Sequence, residues 1–153
     1  MRRLLFVPLA IVACDQWLKW YVAGSMPAGG FGPYSIFGID CSLTYVTNKG
    51  SAWGLFASYP VLLLCLRLAL VGFLSFLFVR HRARRVPLIF VIAGALSNVV
   101  DMVVRGHVID MLSLDFWGYR YPVFNIADCA ICVGIGTLLI VTARSRDRVA
   151  AGR

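Results

Sequence analysis

"PVFNIADCAICVG" (residues 122–134) opens an apolar run long enough to cross a membrane, yet places Asn125 and Asp128 in its first turns. A carboxylate at the edge of hydrocarbon is expensive to keep ionised, so such a residue is a functional-site candidate by default. Whether Asp128 has companions at the same depth decides what the chain can do.

Composition points to lipid. The 153 residues are 60% hydrophobic and 14% charged, and the mean hydropathy is +0.81. Soluble domains carry about a quarter charged residues. Four apolar stretches, roughly 4–23, 61–79, 86–104 and 123–142, approach the length of a spanning helix. A barrel needs alternating segments rather than continuous runs, so strands are not expected to cross. The first stretch contains Asp15 and Lys19 and lacks a small-residue cleavage site, so it reads as a helix and not as a signal peptide.

The net charge of +8 does not indicate nucleic acid. Ten of the fifteen Lys and Arg residues flank apolar runs: Arg2 and Arg3, Arg80, Arg82, Arg84 and Arg85, then Arg144, Arg146, Arg148 and Arg153. They read as topology determinants and contacts to membrane lipids. The connections 24–60 and 105–122 hold only Lys49, Arg105 and Arg120 and are assigned outside. The expected fold is an all-α integral membrane protein, one domain over 1–153, with four transmembrane helices and both termini cytoplasmic. A small β-rich outer segment at 24–60, containing "SLTYVTN", lies between helices 1 and 2, with "SAWGLF" as a brief interfacial helix. Residues 143–153 form a basic cytoplasmic tail.

This topology gathers the polar residues in the outer third of the membrane. At about 1.5 Å rise per residue, Asp15 lies just past the midplane and Lys19 about 6 Å further out. Asn98 and Asp101 occupy the outer half of the third helix, Asp110 follows its end, and Asn125 and Asp128 begin the fourth. All seven acids are aspartates. Asp15 with Lys19 at i,i+4, and Asp101 with Arg105 at i,i+4, read equally well as structural ion pairs. Asn125 can cap the fourth helix, and Asp40 and Asp115 read as solvated. Asp110 and Asp128 have no such account. Two facing carboxylates couple their titrations, one protonated and one ionised, which is the division of labour of an aspartic peptidase.

Other chemistries have less support. His81 falls in the cytoplasmic loop and His107 outside, and neither "GxSxG" nor "HExxH" occurs. No metal and no cofactor are implied. Cys129 and Cys132 form a CxxC that leaves a four-helix thiol oxidoreductase open, although only Cys41 lies in the outer segment to relay electrons. Cys14 and Cys65 read as packing. A small proton-coupled transporter using Asp15 or Asp128 is the other alternative.

Four motifs in order carry a resemblance: "DQWLKW" at 15–20, "TNKGSAWG" at 47–54, "GALSNVVDMVVRGHVID" at 94–110 and "FNIAD" at 124–128. The chain resembles the lipoprotein signal peptidases, signal peptidase II, of bacterial inner membranes. The resemblance implies Asp110 and Asp128 as the catalytic pair. It implies binding or support by Asp15, Lys19, Asn48, Gly50, Gly94, Asn98, Asp101, Val108, Asn125 and Ala127. It also implies a diacylglyceryl-modified prolipoprotein as substrate, cut just before the lipidated lipobox cysteine near the periplasmic face, by an enzyme for which a monomer suffices. Met102 stands where the family usually has Arg, and Arg105, one turn beyond Asp101, is expected to supply the missing cation. Ser97, Ser51 and Trp53 replace a usual glycine, alanine and phenylalanine.

Overall fold

The computed structural model describes residues 6–26, 30–49 and 58–151, with side chains at residue 83 and residues 146–151 left aside. Gly50, Ser51, Ala52, Trp53 and the expected interfacial helix "SAWGLF" lie outside the described residues. The elements run α1 (Phe6–Ser25), β1 (Phe31–Ile36), β2 (Ile39–Asn48), α2 (Pro60–Arg80), α3 (Arg85–Arg105), β3 (Val108–Phe116), β4 (Tyr119–Arg120) and α4 (Ile126–Ala151). A single 3-10 turn, Arg82–Arg84, joins α2 to α3. The four helices fall on the four apolar runs. However, α4 starts later than 123 and carries the basic stretch to Ala151 as helix.

Three of the described helices are long and apolar enough to cross a membrane: Pro60–Arg80, Arg85–Arg105 and Ile126–Ser145. α1 matches them in length with 20 residues but carries Asp15, Gln16 and Lys19 near its middle. Those polar groups do not face outward. Asp15 and Lys19 are both 0% exposed, whereas Phe6, Leu9, Trp17 and Trp20 of the same helix are open. The polar side is therefore inside the bundle and the apolar side outside, the arrangement a lipid solvent favours.

α3 is the central post. Two thirds of its apolar window (67%) is buried, against 11% for α2 and 17% for α4. Its approach to α4 depends on glycine at two crossings. A Cβ on Gly94 would lie 2.3 Å from the Ala127 carbonyl oxygen, and one on Gly134 would lie 2.8 Å from the Pro87 carbonyl oxygen. Without side chains there the backbones close together, as small residues permit between membrane helices. α3 ends at Gly106, whose φ of 73° forms a left-handed cap that returns its N–H to Met102 O at 3.2 Å.

The sheet corrects the sequence reading. It has four antiparallel strands in the order β1-β2-β3-β4, so among the described residues the connection 105–122 contributes as many strands as 24–60. The expectation of a β-rich segment between helices 1 and 2 alone was incomplete. Each hairpin closes on an aromatic–glycine pair, Phe37–Gly38 (φ 53° and 80°) and Trp117–Gly118 (φ 51° and 89°). Two positive φ values in a two-residue loop suit the strand twist. Asp115 belongs to the second turn, accepting the Gly118 N–H at 2.8 Å, rather than being simply solvated. The β2–β3 register sets Asn48 opposite Val108 and Val46 opposite Asp110, which brings the end of β2 to the C-terminal end of α3.

Candidate active site

Two tiers of polar side chains occupy the junction of α1, α3, α4 and the sheet. The lower tier is built on cations. Lys19 Nζ lies 2.6 Å from Asp15 Oδ2 and 2.6 Å from Asp101 Oδ2, with all three side chains 0% exposed. The i,i+4 pairing expected within α1 is thus half of a bridge that also fastens α1 to α3. Ser97 Oγ donates to Asp15 Oδ2 at 2.7 Å, and the Ala127 N–H donates to Asp15 Oδ1 at 3.0 Å. The serine that replaces a usual glycine therefore has a role. Asp101 also pairs with Arg105 as expected, and Arg105 Nη1 donates to Gln16 Oε1 at 2.9 Å. Arg105 thereby supplies a cation to Asp101 despite Met102, and Gln16, which the sequence reading passed over, ties the two helices. Buried ion pairs are tolerable when the remaining lone pairs and protons are satisfied, and here they are.

The upper tier contains Asp110 and Asp128, each of which accepts from asparagine amides. Asn98 connects the tiers: its Oδ1 accepts from Lys19 Nζ at 3.0 Å, and its Nδ2 donates to Asp128 Oδ1 at 3.0 Å. Asn125 connects the two aspartates. Its Nδ2 donates to Asp110 Oδ1 at 2.7 Å, and its Oδ1 accepts the Asp128 N–H at 2.9 Å. The Asn125 N–H returns to Asp128 Oδ2 at 3.3 Å. This reciprocal pair is a capping box closed by Asn and Asp, and it satisfies donors at the start of α4 while setting the Asp128 rotamer. Asn48, at the end of β2, donates from Nδ2 to Asp110 Oδ2 at 3.1 Å. Val108 and Ala127, 3% and 0% exposed, are packing and backbone positions around this core, as is Gly94.

Burial pushes the Asp110 carboxyl up to about 6. Hydrogen bonds from Asn48 and Asn125 and the charge of Lys19 pull the other way, while the charge of Asp128 adds to the rise. A carboxyl near 6 can exchange protons around neutral pH.

An apolar cavity of about 260 Å³ reaches Asp128, walled by Leu114, Phe116, Tyr121 and Phe124 from the segment between α3 and α4 and by Cys129 and Cys132 from α4. A second cavity of about 310 Å³ continues from Leu114 and Phe124 along the sheet past Leu43 and Tyr34. The CxxC thus serves as cavity wall, and Cys14, Cys41, Cys65, Cys129 and Cys132 are all free thiols. One further charged side chain was missed from sequence. Arg67, inside α2, buries its Nη1 and acts electrostatically on Asp128, Asp110 and Asp101. A single Arg within an otherwise apolar run was the available signal.

Known proteins of this construction exist. Residues 7–144 match the family described as Signal peptidase (SPase) II. Over 149 residues the chain is 32% identical to the lipoprotein signal peptidase of Halalkalibacterium halodurans, covering 93% of this chain and 92% of that protein. It is 43% identical over 99 residues to the lipoprotein signal peptidase of Chlamydia trachomatis serovar D, covering 61% of this chain and 58% of that one. A bacterial membrane enzyme solved by the in meso method superposes with a TM-score of 0.81 at 26% identity, covering 97% of this chain and 90% of that chain. A second such structure gives 0.79 at 26% identity, with 94% and 93% covered. Likeness in sequence and likeness in fold both extend over nearly the whole chain, and on that ground the chain belongs to the signal peptidase II family of membrane peptidases.

Proposed function

We propose that the chain is an aspartic endopeptidase that removes signal peptides from diacylglyceryl-modified prolipoproteins, with Asp110 and Asp128 as the catalytic dyad. The carrying observation is that these two aspartates, from β3 and α4, share Asn125 and are held by neutral amides where an apolar cavity ends. In this reading Asp110, 4% exposed and the carboxyl near 6, holds the shared proton. Asp128, lining the cavity, is the base. It takes a proton from water as the water oxygen bonds to the scissile carbonyl carbon. Asp110 donates its proton to the carbonyl oxygen, giving a tetrahedral diol. Collapse breaks the C–N bond, the proton on Asp128 passes to the departing amine of the lipidated cysteine, and Asp110 recovers its own.

The apolar cavities suit the hydrocarbon of the diacylglyceryl group and the signal-peptide side chains. Their contacts would supply orientation and effective concentration at the dyad. The topology that goes with this reading has four crossings, α1 included, within one domain. Basic residues at both ends and in the 80–85 loop face the cytoplasm, and the dyad lies near the periplasmic face of the inner membrane. A monomer contains every group the chemistry uses.

The test is cleavage of a diacylglyceryl-modified precursor in detergent by wild type and by Asp128→Asn. Wild type should release the signal peptide, and the folded variant should lose roughly 10³-fold or more of that rate, since no amide can replace the base. Equal cutting by both would remove Asp128 from the chemistry.

A further inference from the structure

The register of the sheet sorts its side chains by face. Residues paired across antiparallel strands point to the same side, and the side alternates along each strand. One face carries Ile36, Ile39 and Phe116 in one row and Tyr34, Cys41 and Leu114 in the next. The other carries Ser35, Asp40, Asp115 and Arg120 in one row and Ser42 with Ser113 in the next. The sheet is thus apolar on one side and polar on the other. Its apolar side reaches membrane depth, because Phe116 walls the same cavity as Cys132. Cys132 lies about 9 Å along α4 from Ile126, within the stretch long and apolar enough to cross a membrane.

Both hairpins turn at this Phe116 end, and their tips are aromatic. Phe37 is 95% exposed and Trp117 78%. A Cβ on Gly38 would lie 2.7 Å from Trp117 Nε1, so the indole lies over the neighbouring turn and the two tips make one patch. Ile36 and Tyr119, both exposed, widen it. Residues 31–39 and 116–119, "FGPYSIFGI" and "FWGY", contain no charged side chain. Two-residue hairpin loops favour Asn, Asp and Gly, so aromatic tips answer to something other than the turn. An uncovered apolar patch marks a surface that meets a partner. We infer that Phe37 and Trp117 are a lipid anchor, inserted at the headgroup–acyl boundary of the leaflet in which α4 begins. Phospholipid is the occupant because the patch adjoins Phe116, whose cavity lies at membrane depth, and because uncharged aromatic groups favour that boundary. Anchored there, the sheet keeps its apolar face toward hydrocarbon, and the cavity beside Asp128 opens to lipid rather than to water. The inference uses the crossing helix and the sheet and does not depend on the dyad.

The test is tryptophan fluorescence of the full-length protein in phosphatidylcholine bilayer discs, whose acyl chains are either plain or brominated just below the headgroups. Wild type is measured beside Trp117→Phe. Trp17, Trp20 and Trp53 are common to both, so the difference is the Trp117 emission. That emission should be lost in brominated discs and survive aqueous iodide. Phe37→Trp, compared with wild type in the same way, reads the other tip and should behave alike. If one variant does not fold, the other decides. Emission lost to iodide and kept in brominated lipid, at either tip, overturns the inference, since that tip then stands in water. Emission kept against both quenchers also overturns it, since protein and not lipid then covers the tip.

Discussion

Asp110→Asn should abolish cleavage and yet make the protein more stable at alkaline pH. The carboxyl is pushed from its ordinary 3.8 to about 6, chiefly because it is buried. A raised acid favours the folded state below the unfolded value, and that advantage is lost as pH rises through the folded value. The gap is about two pH units, so ionised Asp110 costs the folded state about 3 kcal/mol. Most of this, about 2 kcal/mol, falls between pH 4 and pH 8. The asparagine carries no such cost, but both Asp110 oxygens accept amide donors, from Asn48 and Asn125. Replacing one oxygen by NH₂ loses one of those bonds, about 1 kcal/mol at all pH values. The variant should therefore be slightly less stable than wild type at pH 4 and more stable at pH 8. Thermal unfolding followed by tryptophan fluorescence in detergent reads the difference between the two proteins, so carboxylates common to both cancel. At about 2–4 °C per kcal/mol for a chain of this size, the difference should swing by roughly 4–8 °C toward the variant. A difference that does not change with pH would refute the reasoning, and so would one that swings toward wild type.

Asn125→Ala removes the α4 cap and a donor to Asp110 together; kcat should fall by about 10²-fold or more with little change in KM, and stability by about 1 kcal/mol. A kinetic defect confined to KM would count against its place between the aspartates. Lys19→Met leaves Asp15 and Asp101 facing each other in a dry interior, and unfolding should show a loss of about 3–5 kcal/mol. If Lys19→Met melts like wild type, the lower tier is not what fastens α1 to α3. Cys129→Ser with Cys132→Ser should leave cleavage nearly unchanged, whereas a bulky maleimide on either wild-type thiol should block it by filling the cavity beside Asp128. Activity lost with the serines alone would return a thiol mechanism to consideration.

The helices were legible because continuous apolar runs of spanning length have few alternative structures. The convergence of Asp110, Asn125 and Asp128 was legible through depth, since direction of travel and rise per residue place each polar group along the membrane normal. Contacts across helices were not. Spacing showed Lys19 beside Asp15 but had no means to show Asp101 on its other side, nor that Asn98 would link Lys19 to Asp128. The second hairpin was hidden because "VIDMLSLDF" follows α3 closely and its alternation is short. The Trp117–Gly118 pair, matching Phe37–Gly38, was the overlooked sign. Arg67 was lost to averaging, because one charge scarcely lowers the mean hydropathy of a run that includes so much Leu and Val.

The kind of partner sorts the four clustered aspartates by role. Asp15 and Asp101 face ammonium and guanidinium groups, which fix the position of each carboxylate. Lys19 between them joins α1 to α3. Asp110 and Asp128 face the amides of Asn48, Asn98 and Asn125 instead. An amide N–H orients a carboxyl oxygen without placing a full charge beside it, so the group is aimed and still able to exchange a proton. The asparagines are themselves oriented by the charged tier, since Asn98 rests on Lys19 and Asn125 donates to Asn98 Oδ1 at 3.3 Å as well as to Asp110. Rigid ion pairs below thus set the aim of neutral donors above, and the neutral donors leave the proton free to move. Converting Asn98 to a lysine would break the link, because an ammonium cannot accept from Lys19 Nζ or Asn125 Nδ2, and it would set a second cation beside Lys19. The aim of the neutral donors would be lost with the acceptor, so kcat and the melting temperature should fall together, and a variant that melts and cuts like wild type would refute the role of Asn98 as the link between the tiers.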